Sequence, residues 1–479
     1  MTEQAAAQAF DRGYANRALA LLSTIAALIV YVDIMLTPAL PKIVAEYHVS
    51  IDQASLLISL YTAMGVAVTP VFGKLGDIYG KKRMMVYILL TYLAAATCTS
   101  FAPTFDLILA SRFVQGVGLG VFALCFSLAR EEFPRELVPR AQGVISAVQV
   151  AGGALGLVGG AYVTSAFGWQ ANYHLVIPVI AALTAGAYFI VHESPNRKPG
   201  VKLDVVGSGW LGACLISIVL GLSEGTSWGW TSPTILGLLV LGPVMLVPLA
   251  LYERRVPEPV LDLQLLSQRN VMAANLIIIF YGVSLGVAQQ TLVYSLELPS
   301  PSGFGMSITQ VGPYLLPLAV VILPMALAVG SLIPKHGVKP FLYLGSAFAM
   351  AGFLLLTTYK SPEQIEVYLI VYACGSGMLT VAIQNLLVLS LAKGEMALGT
   401  SLNTAFRYVG QTLGAPAAGA ILSTFVASYT VGGNAVSLPT RAAFQYCFGV
   451  SVAAFLVLLL VSVLAKEVIS KEERNRESS

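Results

Sequence analysis

The chain has 479 residues, of which 57% are hydrophobic and 11% are charged, whereas soluble domains carry roughly 25% charged residues, so the composition indicates an integral membrane protein. The formal net charge of +3 is too small to indicate a nucleic-acid partner. The five cysteines show no Cys-x-x-Cys spacing, and we therefore expect no metal site and no cofactor.

Fourteen apolar stretches are long enough to be membrane spans, since a spanning helix needs about 20 largely apolar residues. The first six lie near 17–40, 52–72, 84–101, 105–129, 141–165 and 173–192. Two more lie near 205–223 and 232–252, and the last six near 270–296, 309–333, 340–358, 364–391, 398–425 and 442–465. The pattern predicts an all-α membrane protein.

The order of the spans predicts two six-helix bundles that are related by an internal repeat. The first bundle would occupy residues 1–195, and the second would occupy residues 269–479 and end in a cytoplasmic tail. Two inserted spans and a linker would fill residues 196–268.

The distribution of basic residues orients these spans, because cytoplasmic loops carry an excess of Lys and Arg. Most of the 27 Lys and Arg residues lie near the termini or in loops that follow even-numbered spans. The predicted outer loops hold Lys42, Lys360 and Arg441. We therefore predict a multi-pass protein of the cell membrane with cytoplasmic N- and C-termini.

A charged turn between the second and third spans is the most distinctive motif. Its glycines permit close approach of helix ends and positive φ angles, and Asp77 can face the positive end of a helix dipole. A related spacing recurs at residues 330–339. We interpret the two turns as gating loops, while charged turns that only fix topology are the alternative. The candidate gating residues are Gly73, Asp77, Gly80, Lys81, Lys82, Gly330 and Gly337.

Two predicted spans carry glycines at every fourth position, which brings them to one face of a helix. Gly152, Gly156 and Gly160 lie in the fifth span, and Gly410 and Gly414 lie in the thirteenth. Small residues at this spacing let membrane helices pack closely. We predict that these glycines are helix-packing positions.

Ionisable side chains within the spans are few, and each is a functional candidate because a charge in the bilayer costs several kcal/mol. Asp33 lies deep in the first span, and burial favours the protonated form of a carboxyl group. Arg112 in the fourth span is permanently charged and needs a partner. We predict that Asp33 and Arg112 couple transport to protons, and a hydrated, structural Asp33 is the alternative.

Polar side chains in the spans, most of them in the second half, predict a substrate cavity. Amides and tyrosines add hydrogen bonds to an apolar surface, which suits a small amphipathic ligand. Arg407 can bind an anionic group or serve as a structural cation near a gate, and the sequence leaves both alternatives open. The candidate lining consists of Gln115, Asn275, Gln289, Gln290, Tyr294, Gln384, Asn385, Arg407 and Gln411.

These motifs resemble those of a known transporter family. The turn at residues 73–83, Gly-x-Leu-x-Asp-x-x-Gly-Lys-Lys-Arg, resembles the signature loop between helices 2 and 3 of the major facilitator superfamily. Arg112-x-x-Gln115-Gly-x-Gly is similar to the helix 4 signature of its proton-driven members. Residues 152–160 resemble its exporter signature, with Leu157 in place of the family proline.

The resemblance extends over nearly the whole chain and is closest to the fourteen-helix drug:proton antiporter branch. Ala39-Leu40-Pro41 matches the end of the family motif in helix 1, which places the family aspartate on Val32, one residue before Asp33. The resemblance implies a major facilitator fold with two inserted helices. It also implies that Asp33 and Arg112 take part in proton coupling.

The function that this resemblance implies is secondary transport by alternating access. We expect proton-coupled efflux of amphipathic organic compounds or drugs, with a small-molecule substrate, protons and the lipid bilayer as partners of a monomer. A transporter of one specific metabolite, including an anionic one, and a facilitative uniporter are the alternatives. The sequence contains no phosphate-binding or metalloprotease motif, and we expect no enzymatic activity.

Overall fold

The computed structural model describes residues 12–49, 51–134, 137–194, 203–256, 259, 263–306, 308–392, 395–431 and 434–468. The first part of the chain forms helices throughout. They are α1 Arg12–Ile34, α2 Leu40–Tyr47, α3 Ile51–Tyr79, α4 Lys81–Ser100, α5 Phe105–Gln115, α6 Gly120–Glu132, α7 Val138–Phe167 and α8 Gln170–Ile190.

The remaining helices form the inserted segment and the second half. The inserted segment contains α9 Val205–Ser223, α10 Gly225–Trp228 and α11 Pro233–Glu253. The second half contains α12 Leu263–Ser267, α13 Arg269–Glu297, α14 Ile308–His336, α15 Lys339–Leu356, α16 Pro362–Val388, α17 Met396–Thr424 and α18 Arg441–Ser462.

Twelve helical stretches among the described residues are long and apolar enough to cross a membrane, which confirms an all-α, multi-pass membrane fold. The predicted spans at 309–333 and 398–425 coincide with α14 and α17 but are not among these twelve. The apolar part of α14 is the shorter helix Val320–His336, and α17 contains several polar side chains. Fourteen spans therefore remain a prediction.

Buried apolar residues form two main clusters, one mostly from α1 to α8 and one mostly from α13 to α18. The inserted helix α9 packs against α3 and α17, one helix from each half, and α11 packs on α9. Ser59 of α3 and Ser223 at the end of α9 share a hydrogen bond of 2.8 Å. The inserted pair thus lies against the seam between the two halves at α3 and α17.

The predicted fourth span is helical but not a single α-helix. A short 3-10 segment, Gly116–Leu119, joins α5 to α6. A Cβ atom at Gly116 would lie 2.9 Å from the backbone nitrogen of Gly65 in α3, so only glycine permits this approach. The contact brings the polar side chains of α5 close to α3.

The predicted packing glycines bring two helix pairs into backbone contact. Gly156 and Gly160 of α7 lie against Tyr31 of α1 and Met35 just after its end, where a Cβ atom would meet each carbonyl oxygen at 2.6 Å. Gly152 makes the equivalent contact one turn earlier. These glycines therefore fix α7 against α1, the helix that carries the candidate proton site.

Glycines also bring α13 and α17 of the second half into backbone contact. Gly410 and Gly414 of α17 face the backbone of Ile279 and Val283 in α13. Gly286 of α13 in turn faces the backbone of α17, where a Cβ atom would lie 2.9 Å from the nitrogen of residue 415. The two halves thus each hold one glycine-packed helix pair next to the candidate site.

A β-hairpin between α17 and α18 was not predicted. Strands β1 Val426–Val431 and β2 Asn434–Pro439 pair antiparallel, with Val426 opposite Pro439. The strands contain Val, Tyr and Thr, which favour extended backbone, but they are too short to be recognised beside two long spans. Ser302 Oγ donates a hydrogen bond of 2.6 Å to the Pro439 carbonyl, which ties the hairpin to the loop after α13.

Replacement of Gly156 by valine tests the α1–α7 contact. We expect Gly156→Val to lower the free energy of unfolding by about 1–3 kcal/mol, because the new side chain meets the Tyr31 carbonyl and overpacks the interface. Thermal unfolding of the purified protein in detergent measures the effect. Gly209→Val is the matched control, because a Cβ atom at Gly209 of α9 would meet no neighbouring atom of the described residues within 4 Å. Equal destabilisation by both variants would contradict the assignment.

Candidate functional site

Arg112 is the centre of a buried polar network in the first half. Its side chain is fully buried, and Nη2 lies 3.8 Å from Asp33 Oδ1. Nη1 donates a hydrogen bond of 3.1 Å to Gln115 Oε1, and Gln115 Nε2 donates one of 2.6 Å to Thr99 Oγ1. The guanidinium also lies 4.4 Å from the centre of the Tyr61 ring. These partners stabilise a permanent cation inside the helices.

Asp33, and not its neighbour, is the residue of α1 that faces the arginine. Val32 is fully buried in the apolar cluster of the first half, whereas the Asp33 side chain is 23% exposed. An ionisable group can exchange protons only where water reaches it. Asp33 therefore combines a cationic partner with access to solvent, although the family pattern placed the aspartate one residue earlier.

Arg407 of α17 is the intramembrane arginine of the second half. It lies farther from Asp33 than Arg112 does, because in the described part of the chain only Arg112 is within salt-bridge distance of that carboxylate. The Arg407 guanidinium lies 4.8 Å from the ring of Tyr408, and Tyr408 packs into the apolar cluster of the first half. The pair of Asp33 and Arg112 is thus linked to Arg407 through Tyr61 and Tyr408, whose rings lie in the same buried cluster.

Two predicted amides lie beside Arg407. Gln411, one helical turn further along α17, donates a hydrogen bond of 3.3 Å to Gln289 of α13. Gln289 is exposed and Gln290 is half-buried, while Tyr294, near the end of α13, is exposed. These side chains and Arg407 form the accessible part of the predicted lining.

Other predicted lining residues are buried. Asn403, which was not predicted, donates a hydrogen bond of 2.9 Å to Asn275 Oδ1. Asn385 donates to the Val381 carbonyl of its own helix at 2.9 Å. Within the described residues, Gln384 and Asn385 share no hydrogen bond with the group around Arg407. The buried set is Gln115, Asn275, Gln384 and Asn385, all less than 9% exposed.

Asp77 of the predicted gating loop contacts the second half. Its Oδ2 accepts a hydrogen bond of 3.1 Å from the backbone N–H of Leu398, in the first turn of α17. Lys81 Nζ lies 3.2 Å from Asp77 Oδ1 and 2.8 Å from Glu131 Oε1. A helix N-terminus favours an anion, and Asp77 therefore holds α3 against α17 across the seam.

Glycines allow the two halves to meet on the side of this loop. A Cβ atom at Gly73 would lie 2.6 Å from the Ala397 carbonyl of α17. A Cβ atom at Gly143 of α7 would lie 2.8 Å from the Ala326 carbonyl oxygen of α14. A Cβ atom at Gly330 of α14 would lie 2.7 Å from the Pro139 carbonyl oxygen of α7. The helices are thus in backbone contact at two places on the loop side, and the structure is closed there.

Glu193, which was not predicted, binds the end of the first gating loop. It accepts hydrogen bonds of 3.1 Å from the backbone N–H groups of Lys82 and Arg83 at the start of α4. Gly80 just before this turn has φ of +114°, a conformation that glycine adopts readily. The carboxylate therefore stabilises the N-terminus of α4.

Glu467 plays the same part in the second half. It accepts hydrogen bonds of 2.9 and 3.2 Å from the backbone N–H groups of Val338 and Lys339 at the start of α15. Gly337 has φ of +84°. A glutamate within five residues of the last helix of each half is a sequence signal for this pair.

The sequence matches the profile described as Major Facilitator Superfamily over residues 21–415. It is 25% identical over 398 residues to the multidrug transporter protein MdtP of Bacillus subtilis, covering 80% of this chain and 71% of the relative. It is 29% identical to an uncharacterised MFS-type transporter of Mycobacterium tuberculosis, covering 82% of this chain and 57% of the relative.

A solved structure shares the fold. The crystal structure of the human organic anion transporter MFSD10 (TETRAN) aligns with a TM-score of 0.69 at 14% sequence identity. The alignment covers 94% of this chain and 99% of the human chain. At this identity the likeness extends to the arrangement of the helices.

Asp77→Asn tests the contact between the loop and α17. Loss of the charge weakens its hydrogen bond to the Leu398 N–H by about 1 kcal/mol, so the loop side opens more often. We expect Ser401→Cys, a buried position facing Gly73, to react with a maleimide about fivefold faster in the Asp77→Asn background. The parent chain without Ser401→Cys supplies the labelling background. Asp106→Asn, which neutralises an exposed carboxylate in the first turn of α5, is the control, and equal rates in both variants would contradict the assignment.

Proposed function

The chain belongs to the major facilitator superfamily, and from that membership we propose that it is a proton-coupled secondary transporter that exports amphipathic organic compounds. It is a multi-pass membrane transporter, not an enzyme. The similarity to a multidrug transporter of Bacillus subtilis supports this substrate range. The export direction is part of the proposal.

The observation that carries the proposal is the contact between Asp33 and Arg112. An ionised Asp33 is attracted to the buried guanidinium at 3.8 Å. Protonation removes the negative charge and with it the attraction, so that α1 and α5 are no longer held together by this pair. Because Asp33 is partly exposed, a proton can reach it from the open side.

The contacts on the loop side supply the second element that alternating access requires. Asp77 and the glycine contacts close that side, while the group around Asp33 remains accessible. In our proposal, breaking the contact between α3 and α17 opens the loop side, and the buried amides of Asn275 and Asn403 then become part of the substrate path. A transporter needs two such states in exchange, and a ligand shifts their populations by binding them differently.

The remaining features of the proposal concern topology. We propose that α14 and α17 also span the bilayer, giving fourteen spans with α9 and α11 as the inserted pair. The side of the gating loops would be cytoplasmic, as would both termini, because the basic residues concentrate there. We also propose that the protein resides in the cell membrane and is a monomer.

Asp33→Asn is the direct test of proton coupling. The variant resembles the protonated carboxyl group permanently, so it should exchange substrate passively but fail to concentrate it when a pH gradient is imposed. Uptake of a fluorescent amphipathic drug into inverted vesicles measures both activities. We expect accumulation of the drug by the Asp33→Asn protein to fall to the level of vesicles that lack the transporter, while passive exchange of the drug remains.

Glu297→Gln is the control for this experiment, since Glu297 is a partly buried carboxylate at the far end of α13. It should leave the accumulation within about twofold of the parent. An Asp33→Asn protein that still concentrates the drug with an unchanged pH profile would refute coupling at this site. If Glu297→Gln then lost accumulation, coupling would belong to Glu297.

A further inference from the structure

The group around Asp33 contains more positive than negative charge. Asp33 pairs with Arg112 at 3.8 Å, and Arg407 adjoins this pair through Tyr408, which lies in the same buried cluster as Tyr61. Tyr61 and Tyr408 contribute aromatic rings to these cations but no charge. One carboxylate against two guanidinium groups leaves one positive charge uncompensated at the centre of the molecule.

The uncompensated charge is on Arg407. Arg112 is fully buried and has Asp33, Gln115 and the Leu57 carbonyl as partners. Arg407 is only partly buried, and among the described residues no carboxylate lies within salt-bridge distance of it. An arginine cannot neutralise itself by losing a proton. The surplus cation therefore lies on the accessible side of the group.

The surroundings of Arg407 suit an anion with an apolar body. Gln411 lies one turn along the same face of α17 and pairs with Gln289 at 3.3 Å. Amide N–H groups and a guanidinium are donors that can bind the oxygens of a carboxylate or sulfonate. Leu285 and Val293, one turn before and after Gln289 on α13, are partly exposed and supply apolar surface for the rest of the ligand.

We propose that Arg407, with Gln289 and Gln411, binds the charged head of an amphipathic organic monoanion, a carboxylate or a sulfonate, as the transported substrate. This inference rests on the proposed transport function and narrows its substrate class. A cationic compound would find one carboxylate that two guanidinium groups already attract. A single surplus charge matches a monovalent head and not a polyphosphate.

The test compares two probes with the same ring system and opposite charge. Naphthalene-2-sulfonate and its trimethylammonium counterpart are titrated calorimetrically into the full-length chain in lipid nanodiscs, with empty nanodiscs as the reference. We expect the parent protein to bind the sulfonate at least tenfold more tightly than the ammonium compound.

Two variants test whether Arg407 causes the preference for the sulfonate over the ammonium compound. Arg407→Gln should weaken sulfonate binding at least tenfold and remove the preference, whereas Arg407→Lys, which keeps the charge, should retain most of it. Arg441→Gln is the matched control, because Arg441 is an arginine of the same half whose guanidinium binds the Tyr359 carbonyl outside the site. It should leave both affinities unchanged.

Three outcomes would overturn the inference: no sulfonate binding to the parent protein, tighter binding of the ammonium compound, or unchanged sulfonate binding in Arg407→Gln. Retention of the parent elution profile on gel filtration shows that each variant is folded. If Arg407→Gln is not folded, the comparison of the two probes is made with Arg407→Lys. These binding results are independent of the pH-gradient experiment on Asp33. If Asp33→Asn lost proton coupling and the parent protein bound the ammonium compound more tightly than the sulfonate, only the anion assignment would be refuted.

Discussion

A permanent cation buried among apolar helices is the constraint on which this structure depends. Arg112 cannot become neutral, so the fold must provide partners for it inside the bundle. Asp33 supplies the charge, Gln115 and the Leu57 carbonyl accept hydrogen bonds, and the Tyr61 ring covers the guanidinium. These groups come from three helices. Gly116, directly after α5, lets the chain come into backbone contact with Gly65 of α3 and so brings Arg112 close to the Leu57 carbonyl and Tyr61.

A second constraint is the placement of carboxylates at the ends of helices, both between the halves and within each half. Carboxylates lie at helix N-termini, where backbone N–H groups and the helix dipole favour negative charge. Asp77 binds the start of α17 across the seam, while Glu193 and Glu467 bind the starts of α4 and α15 within their own halves. The last two restrain each charged turn inside one half. Of these three carboxylate contacts, only that of Asp77 joins the two halves and must break when they separate.

The two halves contribute unequally to the central site despite their similar packing. The first half balances its arginine with a carboxylate, and the second half adds a further arginine beside two amides. The second half therefore supplies the net positive charge of the centre, because the first half is balanced by itself. The surplus charge and the amide hydrogen-bond donors both come from α13 and α17 of the second half.

The sequence by itself determined the apolar helices, the polar residues inside them and the charged turns between them, because an apolar run of about 20 residues and an intramembrane charge are local signals. It did not determine that Asp33 rather than Val32 faces Arg112, that Asn275 is buried while Gln289 is accessible, or that the segment after α17 forms a hairpin. Glu193 and Glu467 also went unrecognised. Each of these depends on helix rotation or on a contact between residues far apart in the chain. Tertiary packing decides such features, since the lipid-facing and interior faces of an apolar helix have similar compositions and the local pattern cannot distinguish them.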